Sequence, residues 1–227
     1  APFSRTGPLR PPAPPSQPPP LLRRSTTTPS TRSCLNFASR RATSRVAEAV
    51  ELTGLFIDKG PVVQVRESGG RVSVESDRNA GVAWDGALAV LINRGSASAS
   101  EIFAGAIQDY GRGLVIGETT FGKGTVQNLV DLDRWPANEG QKFGQVKLTI
   151  AQFFLPGGSS TQNKGVVPDI AFPVTVDASE FGESTYDNAL PWTRMAAVPH
   201  TQYGNFTSLL PQLDALHNAR VAKDKEF

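Results

Sequence analysis

The chain has 227 residues, one cysteine, two histidines and a formal net charge of +2, which suits one domain or a little more, with room for a sizeable core. The single Cys34 excludes a disulfide framework and a cysteine-ligated zinc site, His200 and His217 are too few for most histidine metal sites, and no apolar run is long enough to span a membrane. The charge is a composite: residues 1–47 hold eight arginines and no acid, whereas residues 48–227 carry −6, so the basic balance is no argument for a nucleic-acid partner.

Ten of the 18 prolines lie in the first 30 residues, including Pro11-Pro12, Pro14-Pro15 and Pro18-Pro19-Pro20. Proline fixes φ and removes backbone donors. Little apolar surface is present to offset the entropy of ordering, so residues 1–45 read as disordered or loosely polyproline II. A transit segment, a proline-rich ligand for a partner domain and a phosphate-binding arm compete with that reading. Proline density argues against the amphipathic helix of the first, and the absence of interleaved aromatics against the last.

From Val46 the composition changes. Val46, Ala49, Val50, Leu52 and Phe56 recur at near-helical spacing, which predicts an amphipathic helix ending at Asp58-Lys59-Gly60. Residues 62–65 and 72–74 predict two short strands around a Gly69-Gly70 turn. The run 87–92 is continuously apolar, as in a strand buried on both faces. Ile102, Phe103, Ala106 and Ile107 follow with helical spacing, then a strand over 114–116 closed by Gly117, and a long strand over 146–154 before Pro156-Gly157-Gly158. Strand, helix and strand in sequence predict an α/β domain with a mixed sheet. Phe206, Leu209, Leu210, Leu213, Leu216 and Val221 predict a terminal amphipathic helix.

The chemistry centres on Gly95-Ser96-Ala97-Ser98-Ala99-Ser100-Glu101, between a buried strand and a helix. A serine at a helix start sits beside free N–H groups and the positive end of the dipole, which suits a nucleophile and the oxyanion it generates. Ser98 with Glu101 also fits a capping box, a purely structural alternative. A nucleophilic serine needs a base, and neither histidine lies in a motif. Lys123, in Phe121-Gly122-Lys123-Gly124-Thr125-Val126-Gln127, is the candidate, provided desolvation lowers its pKa. Its alternative is a solvated surface lysine. A phosphate loop is disfavoured because Gly124, and no Ser or Thr, follows the lysine.

The combination of 95–102, Gln108-Asp109-Tyr110-Gly111, Gly117-Glu118, 121–127 and Pro168-Asp169-Ile170 resembles the C-terminal processing peptidases, serine endopeptidases with a Ser/Lys dyad. Asp187-Asn188-Ala189-Leu190-Pro191-Trp192 and His217-Asn218-Ala219-Arg220 resemble the C-terminal extension of the bacterial tail-specific subgroup. The resemblance covers residues 46–227. It implies an α/β mixed-sheet catalytic core over 46–176 and the start of a helical extension over 177–227. It further implies Ser98 as nucleophile, Lys123 as general base, Gln127 orienting the lysine amine, and the Ala99 N–H as an oxyanion donor. Asp109 matches an acid of the subgroup's catalytic set, or is a surface acid of its helix. The expected substrates are polypeptides with unstructured C-terminal tails, cut without metal or cofactor. The expected compartment is the periplasm, although no signal peptide is present.

The sequence also departs from that family. No glycine occurs between positions 8 and 53, so the glycine-rich turn that gives the family its second oxyanion donor is missing, as is its peptide-capturing PDZ domain. Residues 1–45 are therefore expected to be an out-of-frame or misjoined reading fused to genuine protease sequence. Losing one oxyanion donor typically costs about 10²–10³ in rate, so weak activity is expected. Rival readings are an inactive fragment and a ligand-binding module of the same domain type; the retained Ser98, Lys123 and Gln127 oppose the latter.

Overall fold

The computed structural model describes residues 33–36, 46–134 and 142–224. Two four-stranded sheets enclose a central helix. Strands β1 (Ser33–Asn36), β4 (Leu88–Ile92), β5 (Leu114–Gly117) and β8 (Ile170–Ala171) lie in the order β1-β4-β5-β8, all parallel. Strands β2 (Gly60–Glu67), β3 (Val72–Asp77), β6 (Thr125–Asp131) and β7 (Gln145–Phe154) lie in the order β3-β2-β7-β6, all antiparallel. The α/β core has both kinds of pairing, but segregated into two sheets. The cause is in the connections: tight turns can join antiparallel neighbours, whereas parallel β4 and β5 need a helical crossover.

That crossover is α2 (Ala99–Asp109), whose residues Ala99 to Ile107 are all buried. Ile102 and Ala106 pack with Ile57, Val62, Val63 and Phe153, while Phe103, Ala104 and Ile107 pack with Val90, Ile92, Val115 and Phe56. A helix buried on every side belongs inside a core; this one is shared by two clusters and buries the polar Ser100 and Glu101 with its apolar residues. Its small residues let the neighbours approach: a Cβ on Gly105 would lie 2.4 Å from Leu155 Cδ1.

Helix α1 (Val46–Gly54) stops six residues short of the expected Gly60. Gly54 ends it where the Asp77 carboxylate closes in; a Cβ there would meet Asp77 Oδ2 at 2.5 Å. The hairpin of β2 and β3 turns through Gly69-Gly70, with Gly70 at φ 81°. Helix α3 (Leu210–Val221) starts after Phe206 and Leu209, which the expected helix included, and none of its residues is buried. Its contact with the body includes His217 stacked on Phe172, ring centroids 5.1 Å apart. No helix among the described residues is long and apolar enough to cross a membrane.

Two strands were not anticipated. The expectation of disorder over 1–45 lies mostly outside the described residues, but Ser33–Asn36 form β1, paired with β4 in the register Ser33↔Leu88 to Asn36↔Leu91. Proline last occurs at Pro29 before this stretch, so every N–H of β1 is available to the ladder. Strand β6 is an edge strand with mostly exposed residues, so it lacks the apolar run that marks a buried strand.

Candidate active site

Ser98 immediately precedes α2 with φ 58° and ψ −115°. Non-glycine residues avoid that region unless their surroundings impose it, and such strain clusters at functional turns. An ordinary N-cap is extended, so capping alone does not account for this backbone. The turn is fixed from below: the Gly95 N–H donates to Asn93 Oδ1 (3.0 Å), the Asn93 N–H to Ser96 Oγ (3.2 Å), and the Phe121 N–H to the Ser96 carbonyl (2.9 Å). Ala99 is the first residue of α2, so its N–H belongs to the helix-start amides that have no acceptor within the helix.

Glu101 holds this turn against the loop that carries Lys123. Its Oε2 accepts from the N–H groups of Ser98 (2.7 Å) and Lys123 (2.9 Å). Its Oε1 accepts from the Thr120 hydroxyl (2.6 Å) and the Gly122 N–H (2.7 Å). The carboxyl is fully buried, and desolvation pushes its pKa up to about 7 although every one of those donors pulls it down. The Ser98-x-x-Glu101 spacing did suggest a cap, but nothing in the sequence shows that the same carboxylate reaches Gly122 and Lys123.

Lys123 is half-buried, and its Nζ donates to Gln127 Oε1 at 2.6 Å. Desolvation lowers its pKa, with Lys147 adding in the same direction and Glu183 and Glu101 opposing. The flanking glycines let the loop press on its neighbour: a Cβ on Gly124 would stand 2.7 Å from the Gln162 N, and Gly122 adopts φ 93°. A bulge between Val126 and Gln127 advances the register, so Gln127 lies opposite Thr149 and not Ile150, and its Nε2 donates to Thr149 Oγ1 at 3.4 Å. Bulges re-aim side chains in this way.

Ser98, Lys123 and Gln127 thus line one open cavity of about 410 Å³, together with Phe121, Lys147 and Thr149, and with Glu183, Tyr186 and Leu190 from later in the chain. No motif in the sequence marks these last three, or Lys147. Asp109 is not brought to this cavity. It ends the 11-residue α2, about 16 Å from Ser98 at ~1.5 Å per residue, where its Oδ2 accepts from the Gly157 N–H at 2.6 Å. Burial raises its pKa against the lowering effect of that bond, His200 and Arg194. Among the described residues no group of three or more His, Cys, Asp or Glu could hold a metal ion.

Residues 45–172 match the model of peptidase family S41, and residues 176–227 match the C-terminal domain of tail specific protease. The tail-specific protease of Haemophilus influenzae is 47% identical over 191 residues, covering 80% of this chain and 27% of that protein. The chloroplastic carboxyl-terminal-processing peptidase 2 of Arabidopsis thaliana is 36% identical over 134 residues, covering 59% of this chain and 24% of that protein. Among solved structures, the photosystem II D1 C-terminal processing protease superposes with a TM-score of 0.51 at 33% identity, covering 61% of this chain and 34% of that one. The chain spans about a quarter of the length of these curated relatives.

Proposed function

Because the chain belongs to peptidase family S41, we propose that it carries the Ser98/Lys123 centre of a serine endopeptidase that cuts polypeptides near their C-terminal ends. In this reading residues 46–176 are the catalytic portion and 177–227 the C-terminal extension. The substrates are unstructured tails, and the compartment is the periplasm. One observation carries the dyad: a serine forced into φ 58° at a helix start shares a cavity with a half-buried lysine of lowered pKa.

The chemistry follows the activated-nucleophile pattern. Neutral Lys123 takes the Ser98 hydroxyl proton as Ser98 Oγ attacks the scissile carbonyl. The oxyanion forms beside the Ala99 N–H at the positive end of α2. The Lys123 ammonium returns its proton to the leaving amine, and the acyl-enzyme remains. Water, deprotonated by Lys123, then releases the acid and restores Ser98. Gln127 Oε1 accepts one N–H of Lys123, which restrains the amine within the cavity that Ser98 also lines. Asp109 acts as a positioning residue at the far end of α2.

A small fluorophosphonate, with the modified residue located by peptide mass spectrometry, tests the dyad. Ser98 is expected to be labelled, Ser98→Ala to abolish labelling, and Lys123→Ala to slow it about 10²–10⁴-fold. Labelling that persists in Ser98→Ala, or is indifferent to Lys123→Ala, refutes the assignment.

A further inference from the structure

The catalytic cavity is not built from the peptidase portion alone. Glu183, Tyr186, Asn188, Ala189 and Leu190 line it, yet all fall within 176–227, the stretch matched by the C-terminal domain of tail specific protease. Their backbone is fastened to the site loops at both ends. Upstream, the Glu183 N–H donates to the Phe121 carbonyl (3.0 Å), and the Phe181 ring meets Phe121 edge-on with centroids 5.2 Å apart. Buried Arg94 bridges the same place, donating from Nε to the Phe181 carbonyl (2.6 Å) and from Nη1 to the Thr120 carbonyl (2.7 Å). Downstream, Asn163 Nδ2 donates to the Leu190 carbonyl (3.0 Å), Trp192 Nε1 to the Ser160 carbonyl (2.8 Å), and Lys164 Nζ sits 3.7 Å above the Trp192 ring.

Between these anchors the side chains remain available. Tyr186 is 56% exposed and Leu190 39% exposed, although both belong to a segment whose backbone is tied down. A held backbone carrying large, partly exposed side chains over a cavity, with Tyr186 resting against Phe121 (ring centroids 6.4 Å apart), is the arrangement of a binding wall, because ordering costs are met before a ligand arrives. The same cavity is lined by Lys147 and Thr149 of β7 and by Thr125 and Gln127 of β6, and Leu190 shares a second hollow with Thr149 and Gln152. An extended peptide entering beside Ser98 therefore meets both the polar sheet and the large side chains of Tyr186 and Leu190.

We propose that residues 181–192 form the specificity wall of the catalytic cleft, with Tyr186 and Leu190 determining which side chain is accepted next to the scissile bond. The proposal rests on the assignment of Ser98 as the reactive residue and deepens it by giving the C-terminal region a part in substrate choice. Tyr186, the larger and more exposed, restricts the space; removing its ring widens the cleft toward bulky residues.

Two peptidyl phosphonates differing only in the residue beside phosphorus, an alanine analogue and a phenylalanine analogue, provide the test. The ratio of their rates of Ser98 modification is read in the parent chain, in Tyr186→Ala and in Leu190→Ala, with thermal unfolding checking that each variant is folded. Tyr186→Ala should shift the ratio toward the phenylalanine analogue by roughly tenfold, the scale on which pockets discriminate by size, and Leu190→Ala in the same direction by less. The corresponding unreactive peptide amides, bound to the Ser98→Ala chain and followed by fluorescence anisotropy, read the same preference without a nucleophile. An unchanged ratio in folded variants, or no binding of either amide, overturns the wall. Failure of phosphonates and fluorophosphonate alike, with the anisotropy preference still shifted by Tyr186→Ala, counts against Ser98 and leaves the wall standing.

Discussion

At the scale of single residues, the charges around Lys123 set when its amine is free. Burial depresses the lysine, Lys147 depresses it further, and Glu183 raises it. The rate of Ser98 modification should therefore climb along a limb centred below the ordinary 10.5 of a lysine. Lys147→Ala removes a like charge and moves that limb to higher pH, whereas Glu183→Gln removes a counter-charge and moves it lower; equal limbs in all three chains would dismiss this account. Glu101 makes the opposite kind of statement. Its folded pKa of about 7 stands above the 4.5 of a free side chain, so the folded chain holds this proton more tightly than the unfolded one. The stability linked to it is complete below pH 4.5 and is lost as pH rises to about 7. Across that interval the parent should lose roughly 3 kcal/mol more than Glu101→Gln in urea unfolding. The same variant places an amide among the N–H groups of Ser98, Gly122 and Lys123, so it should be the less stable chain at low pH.

At the scale of elements, α2 carries the most weight, since both core clusters use it. Gly105→Val drives a branched side chain into Leu155, and overpacking of this sort costs about 1–3 kcal/mol; thermal unfolding measures it. This helix, β4, β5 and β7 were legible in the sequence because burial on both faces, or a long β-branched alternation, leaves a pattern that no other structure explains. Strand β6 was not, because an edge strand facing solvent needs no such pattern, and Val126 and Gln127 read equally well as a continuation of the lysine loop. Strand β1 was hidden by its arginine-rich and proline-rich surroundings. Ser98, Lys123 and Gln127 were recognisable by motif and meet in one cavity. Asp109 was recognisable in the same way yet lies at the other end of its helix, since matching a motif fixes sequence position and not direction in space.

At the scale of the whole molecule, the late part of the chain is bound into the early part at several separated places. Gln64 Nε2 donates to the Ala196 carbonyl (3.1 Å), the Met195 N–H to the Gly158 carbonyl (2.8 Å), and the Tyr203 N–H to the Tyr110 carbonyl (2.9 Å). Ending the chain at residue 176 would take the Phe181 carbonyl from Arg94 and the Ala196 carbonyl from Gln64, which would keep only their bonds to Thr120 and Leu155. Such hydrogen bonds contribute about 0.5–3 kcal/mol each, so the truncated chain should melt roughly 5–10 °C lower. A midpoint within a degree or two of the parent would show that residues beyond 176 are merely appended.

Helix α2 also has a consequence for genetics. Its first turn abuts Ser98, and its last residue, Asp109, is clamped by the Gly157 N–H while its carbonyl accepts from Gln202 Nε2 (2.7 Å). A close-packed interior transmits displacement and does not absorb it, so slack at the Asp109 end should travel along the helix to Ser98, the proposed nucleophile. If the proposed function holds, a screen for lost proteolysis should recover Asp109 beside Ser98 and Lys123, three hits with one phenotype and two unrelated causes.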